Sequence, residues 1–340
     1  MQLQIKKTDY SKAISWSNVY LSSMIIILHT DVPSGIADYT PALLAKWDGV
    51  KEIINVICDV AVPAFFIISA YLMFRKYNFK SYYDILKTKI RTLAIPYLIW
   101  SFIGILYHWI LASYKSDTFK CSLLDLVQGT YNQPLWFIKT LFCYVIISPI
   151  IYWIVCRSKF SIIVCFVAVI ANLLFDFGYT SIFFWFASYF LGAWIGVYKH
   201  SDVEKHWVKA NIFDNILFLI ICYIVIFTFG VITVNTKLYY LYRNISGLLF
   251  VYHMWRISWK NTPDRNLQCS FYAFCSHCLL LGVVPRICHM ILPNTFVGLL
   301  LAYILSVLFI MVIIMASSYL LRKYFASAYN ILVGGRKERV

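Results

Sequence analysis

The sequence predicts an all-α, polytopic transmembrane helical bundle of about ten spans with both termini cytoplasmic, and three observations predict it. Of the 340 residues, 61% are hydrophobic and only 13% charged, against roughly 45–50% and 25% in an average soluble domain. The mean hydropathy is +0.73. The apolar stretches run for about 20 residues without strict alternation, which suits bilayer-crossing helices and not barrel strands. The 30 Lys and Arg gather on alternate connections, the signature of a positive inside face.

Ten stretches carry the expected spans: 14–30, 52–74, 92–112, 135–156, 160–177, 181–198, 212–233, 238–256, 269–290 and 296–321. As helices they bond their own backbone groups, which the hydrocarbon demands. The first is polar, with Ser15, Ser17, Asn18, Ser22 and Ser23, and is expected inside the bundle. With the N-terminus inside, the inner segments hold Lys6, Lys7 and Lys12, the run from Arg75 to Arg91, Lys199, Lys205 and Lys209, and the cations from Arg322 onward. The outer loops hold few, among them Lys46, Lys51 and Lys237. The net charge of +15 is therefore topology with some attraction to anionic lipid, and not a nucleic-acid surface. The chain reads as one domain over 1–340, with short cytoplasmic tails at about 1–12 and 323–340 and no appended soluble domain. No cleavable signal peptide is expected, because no small-residue cleavage site follows the first apolar run.

Ten cysteines are scattered, mostly within expected spans, like small buried hydrophobes and unlike a disulfide framework. Cys275-Ser276-His277-Cys278 invites a metal reading. A tetrahedral site needs a second ligand pair and none is apparent, so no metal is expected.

Ionisable groups within spans are costly and mark candidate sites. At 1.5 Å per residue, His29 falls near the outer surface and Asp59 about 10 Å along the second span. Lys139, Arg243 and Arg286 fall near the outer ends of theirs, and Ser69 and His277 lie deeper, toward the cytoplasm. The cations have a plain reading as snorkelling side chains, and His29 one as an interfacial residue. Asp59 is too short to snorkel far; a structural pair with Arg243 or Arg286 is its plain reading. The chemistry open to this set is acyl transfer. A neutral imidazole can take the proton of a hydroxyl as it attacks a thioester, and fixed cations can hold an anionic donor or steady an oxyanion. Proton-coupled transport uses the same residue types.

Several motifs narrow the choice. Phe65-Phe66-Ile67-Ile68-Ser69-Ala70-Tyr71-Leu72, Lys89-Ile90-Arg91 before Ile95-Pro96-Tyr97-Leu98-Ile99-Trp100-Ser101, Pro134-Leu135-Trp136-Phe137 with Tyr144 and Pro149, Phe190-Leu191-Gly192-Ala193 and Ser270 to His277 follow His29 in order. In this the chain resembles the acyltransferase 3 family of integral membrane O-acyltransferases of cell-surface polysaccharides, over most of its length. Two positions depart from that family: Asn18 stands where an Arg is common, eleven residues before the His, and Ala70 replaces the usual Gly.

The resemblance implies an integral, multi-pass inner-membrane enzyme with no bound cofactor. It moves an acyl group from cytoplasmic acyl-CoA, acetyl-CoA first among the donors, to a hydroxyl of an exopolysaccharide, O-antigen or related lipid-linked or surface glycan. His29, with Asp59, is the expected catalytic pair. Lys89, Arg91 and Ser69 are the expected donor contacts, and Trp136, Lys139, Arg243, His277 and Arg286 are expected to line the acceptor site or path. The alternatives are a transporter or flippase for a glycan or small solute, and a catalytically degenerate membrane partner.

Overall fold

The computed structural model describes residues 8–31, 39–115, 118–200, 212–257 and 259–335, and all regular structure among them is helical. Helix α1 is Thr8–His29, α2 Pro41–Cys58 and α3 Ala61–Phe74. Helices α4 (Tyr82–Lys89) and α5 (Ile95–Tyr114) are joined by a π-helical turn at Ile90–Ala94. Then come α6 (Leu123–Gln128), α7 (Trp136–Ile146), α8 (Ser148–Val155), α9 (Ser158–Leu174) and α10 (Phe186–Tyr198). The chain continues through α11 (Ile212–Thr233), α12 (Tyr239–Arg256), α13 (Ser270–Leu281), α14 (Val284–Met290), α15 (Phe296–Tyr324) and α16 (Ala326–Leu332).

Each of the ten expected stretches holds helix. Among the described residues, three helical stretches are long and apolar enough to cross a membrane: Pro41–Phe74, Phe79–Tyr114 and Phe296–Tyr324. Two bent pairs raise the number to five if each is one span: α7 with α8, bent by 64°, and α13 with α14, bent by 47°. Proline explains the interruptions, because it has no N–H to give to the carbonyl four residues earlier. Pro149 withholds that bond from Val145, Pro285 from Leu281, Pro96 from Thr92 and Pro63 from Asp59. The last of these leaves Asp59 in the short break between α2 and α3.

One expectation is corrected. The second stretch starts at Pro41 and not at 52, because Thr40 caps the helix and Pro41 opens it, so Lys46 and Lys51 are helical and not loop residues. The residues beyond 323 hold α16, which is docked on α5 through a 3.0 Å bond from Trp100 Nε1 to the Leu332 carbonyl. Lys6, Lys7, Lys205, Lys209 and the tail segments 1–7 and 336–340 lie outside the described residues.

Helix α3 is buried almost all round, as a helix without a polar face must be. It packs against α1, α10 and α12. The polar α1 also sits within the bundle, and its hydroxyls bond back to their own helix, Ser17 to Ala13 and Ser23 to Val19. The α3–α10 contact is a backbone approach. A Cβ on Gly192 would stand 2.8 Å from the Ile67 Cα and closer still to its carbonyl oxygen. Gly192→Leu must force the helices apart, an overpacking cost of about 1–3 kcal/mol or more. It is expected to cut the monodisperse fraction in detergent several-fold, read by fluorescence-detected size exclusion. Gly49→Ala, where a Cβ meets nothing within 4 Å, is expected to leave that fraction unchanged.

Candidate active site

The site begins with the way α1 ends. A helix leaves its last carbonyls without partners, and here three of them are claimed by groups that also fix the end in place. The Ile26 carbonyl accepts from Thr30 N–H at 3.0 Å and Thr30 Oγ1 at 2.8 Å. The Ile27 carbonyl accepts from Tyr303 Oη of α15 at 2.9 Å and from Lys51 Nζ of α2 at 3.2 Å. Lys51 also donates to Leu28 at 2.9 Å and to the Thr30 carbonyl. Its ammonium thus sits at the negative end of the α1 dipole and is buried there. Trp47 Nε1 adds a 3.0 Å bond to Asp31 Oδ1.

On this held end, His29 Nδ1 lies 2.9 Å from the Ile25 carbonyl. A carbonyl only accepts, so Nδ1 carries the hydrogen, and in the neutral ring Nε2 is left with its lone pair. His277 on α13 repeats the arrangement, Nδ1 to the Ala273 carbonyl at 3.1 Å, with Nε2 buried and unpartnered. The two rings are 5.2 Å apart, centroid to centroid.

Three chambers follow one another through the bundle. The first, about 460 Å³, lies along the N-terminal half of α1, with Ser15, Asn18, Ser69, Lys89, Gln268 and Ser270 as its polar wall. The second, about 200 Å³, is formed by His29, Asp59, Pro134, Trp136, Tyr179 and apolar neighbours. Phe137 and Phe274, with ring centroids 5.4 Å apart, belong to both walls and stand between these chambers. The third, about 740 Å³, is polar and adjoins the second at Asp59. There Asp59 Oδ2 accepts from Tyr239 Oη at 2.8 Å and from Arg243 at 2.9 and 3.1 Å.

An imidazole with a free lone pair, set between a chamber on one side and a polar chamber on the other, is equipped to move a proton. The family comparison says in what setting. The family model for an acyltransferase domain, the acyltransferase 3 family, matches residues 21–322. The chain belongs to this family of acyltransferases. It is similar to the succinoglycan biosynthesis protein ExoH of Rhizobium meliloti (strain 1021), 34% identical over 113 residues, which covers 29% of this chain and 30% of the relative. No solved structure matches.

Within this chain, the residues singled out from the sequence divide clearly. His29, Asp59 and Trp136 line the second chamber, Ser69 and Lys89 the first, and Arg243 the third. His277 is buried behind His29. What is corrected is the expected depth of His29, near the outer surface. The end of α1 is recessed by about 15 Å from the start of α2, ten residues before Lys51, and so meets the middle of α13. Arg91 is exposed on the π-turn, Lys139 is half-buried on α7 and Arg286 is exposed on α14, and none of the three lies on a chamber wall. The sequence reading missed Lys51, Tyr239 and the Phe137–Phe274 pair. For Lys51 a signal existed: Trp47, Lys51, Ile54 and Cys58 recur at helical spacing, which places the lysine on the inward stripe.

Proposed function

We propose that this chain is a membrane O-acyltransferase that moves an acyl group from cytoplasmic acyl-CoA, acetyl-CoA first among the donors, to a hydroxyl of an exopolysaccharide, O-antigen or related glycan on the far side of the inner membrane. The observation that carries this reading is the position of His29, at the meeting point of a chamber that opens toward Lys89 and a polar chamber beyond Asp59. The family supports acyl transfer, and a relative named for succinoglycan biosynthesis supports a polysaccharide acceptor. The reading includes ten crossings, both termini in the cytoplasm, and one membrane domain over the whole chain.

In this mechanism the acyl arm of the donor enters the first chamber, with Lys89, Ser69 and the exposed Arg91 meeting its polar part, and its thioester passes Phe137 and Phe274. The acceptor hydroxyl comes from the third chamber. Nε2 of His29 takes the hydroxyl proton as the oxygen bonds to the thioester carbonyl carbon. The C–S bond then breaks, and the leaving sulfur takes that proton back from His29, so CoA departs as the free thiol and the neutral imidazole is restored. Asp59, held by Arg243 and Tyr239, lends negative charge near the imidazolium formed midway.

The test follows label from acetyl- and succinyl-CoA carrying a radioactive acyl group into glycan, in inverted membrane vesicles containing the protein. CoA-dependent transfer is the expected result. No transfer from any acyl-CoA, with acceptor shown to be present, would favour a transporter or an inactive partner.

A further inference from the structure

We propose that the third chamber is the acceptor site, and that it is built for an uncharged, hydroxyl-rich glycan segment and rejects acidic sugars. This rests on the reading of the chain as a glycan acyltransferase. The chamber's volume of about 740 Å³ is within the range of pockets that enclose a ligand, roughly 300–1,000 Å³. It adjoins the His29 chamber at Asp59, so a hydroxyl bound here is next to the base.

The wall's charge decides the class of ligand. Its three cations are all engaged, Arg243 by a carboxylate and the two lysines, which keep their charge, by carbonyls; with four acids on the wall, one negative charge is left in excess. The Lys51 ammonium donates to the carbonyls of Ile27, Leu28 and Thr30. Arg243 pairs with Asp59 while its guanidinium lies 4.5 Å from the Tyr239 ring and 4.9 Å from that of Tyr179. Lys237 donates to the Leu174 carbonyl at 3.0 Å. The acids are not matched in this way. Asp48, Glu52 and Asp176 are exposed on the same wall and form no ion pair among the described residues. Free carboxylates accept hydrogen bonds from sugar hydroxyls and repel uronate or other acidic substituents.

A second observation points to a hydrogen-bonding ligand. Asn55, Asn172 and Tyr240 all line this chamber, and the two asparagines each have a buried side-chain oxygen, Oδ1, without a partner. Buried polar atoms are rarely left so, and in this wall a side-chain rotation is what would bring the two amide oxygens to a ligand. Sugar hydroxyls, which both donate and accept, suit amide and phenol oxygens alike. Aromatic groups among them, Phe184 and Tyr239, offer apolar surface to the C–H faces of a sugar ring.

The experiment uses the full chain in nanodiscs of uncharged lipid, with saturation-transfer NMR on two probes, cellotetraose and tetragalacturonate. Cellotetraose is expected to bind, and tetragalacturonate to bind at least about tenfold more weakly. The triple variant Asp48→Asn, Glu52→Gln, Asp176→Asn changes only exposed side chains and is expected to bring the acidic probe to within about threefold of the neutral one. Equal or tighter binding of tetragalacturonate to the unaltered protein overturns the proposal, and so does failure of both probes to bind. Labelled acyl transfer is measured in the same preparation. Transfer without probe binding overturns the chamber assignment and leaves the acyltransferase standing. Probe binding without transfer upholds the chamber and overturns the reaction.

Discussion

Replacing His29 with alanine is expected to lower acyl transfer to glycan at least about a hundredfold, the usual contribution of a positioned general base, with the protein still present in the membrane at its normal level. The two halves of this expectation have separate causes. The ring's hydrogen bond is local, to the Ile25 carbonyl one turn back in the same helix, and the side chain is exposed at a chamber wall, so its removal breaks no bond between helices. The end of α1 stays held by Lys51, Thr30 and Tyr303. What is lost is the Nε2 lone pair. His29→Gln keeps a polar side chain of similar length but has no nitrogen that can take a proton, and is expected to be as inactive as alanine. Labelled acyl transfer and immunoblotting of membranes are the two readouts. Transfer by His29→Ala at the normal level would remove His29 from the mechanism.

Some of this was written plainly in the chain. His29 stood out because an ionisable group at the end of an apolar run is costly, and the serines of α1 announced a helix within the bundle. Hydropathy located the helices well, because the helical period depends only on neighbours in sequence. It could not pair them. Asp59 and Arg243, which meet across 184 residues, were paired from their charge, with Arg286 left as an equal choice, and His277 meets His29 only because α1 stops short of the depth that counting residues assigns. Lys51 was misread for a physical reason. Charge near an apolar run argues for a loop, and only packing of α2 against the end of α1 makes a buried ammonium tolerable, by surrounding it with carbonyls. The prolines were visible, but whether a proline bends, breaks or merely opens a helix depends on what re-satisfies the freed carbonyl, and that is set by other helices.

Lys51→Met is expected to lower kcat about ten- to a hundredfold while changing the KM for acyl-CoA by less than about twofold. Methionine keeps much of the apolar stem but offers no donor to Leu28 and Thr30, whose carbonyls then lose the bonds made by the ammonium. Ile27 is less affected because Tyr303 still serves it. A buried carbonyl without a partner costs about 1–3 kcal/mol, so the end of α1 relaxes away from its present position. His29 moves with it, and a displacement of about 1 Å at a reacting group can cost a hundredfold in rate. The first chamber, proposed for the donor, is lined from the other half of α1 and does not include Lys51, which is why donor affinity should hold. Lys51→Arg retains the charge, but a planar guanidinium cannot aim three donors around a ring of carbonyls as an ammonium does, so it should restore part of the rate. This pattern separates positioning from other roles. A raised KM for glycan with kcat intact would make Lys51 an acceptor contact in the third chamber, and loss of protein from the membrane would make it a folding residue. Unchanged kinetics would mean that the Lys51 clamp on α1 does not set the position of His29.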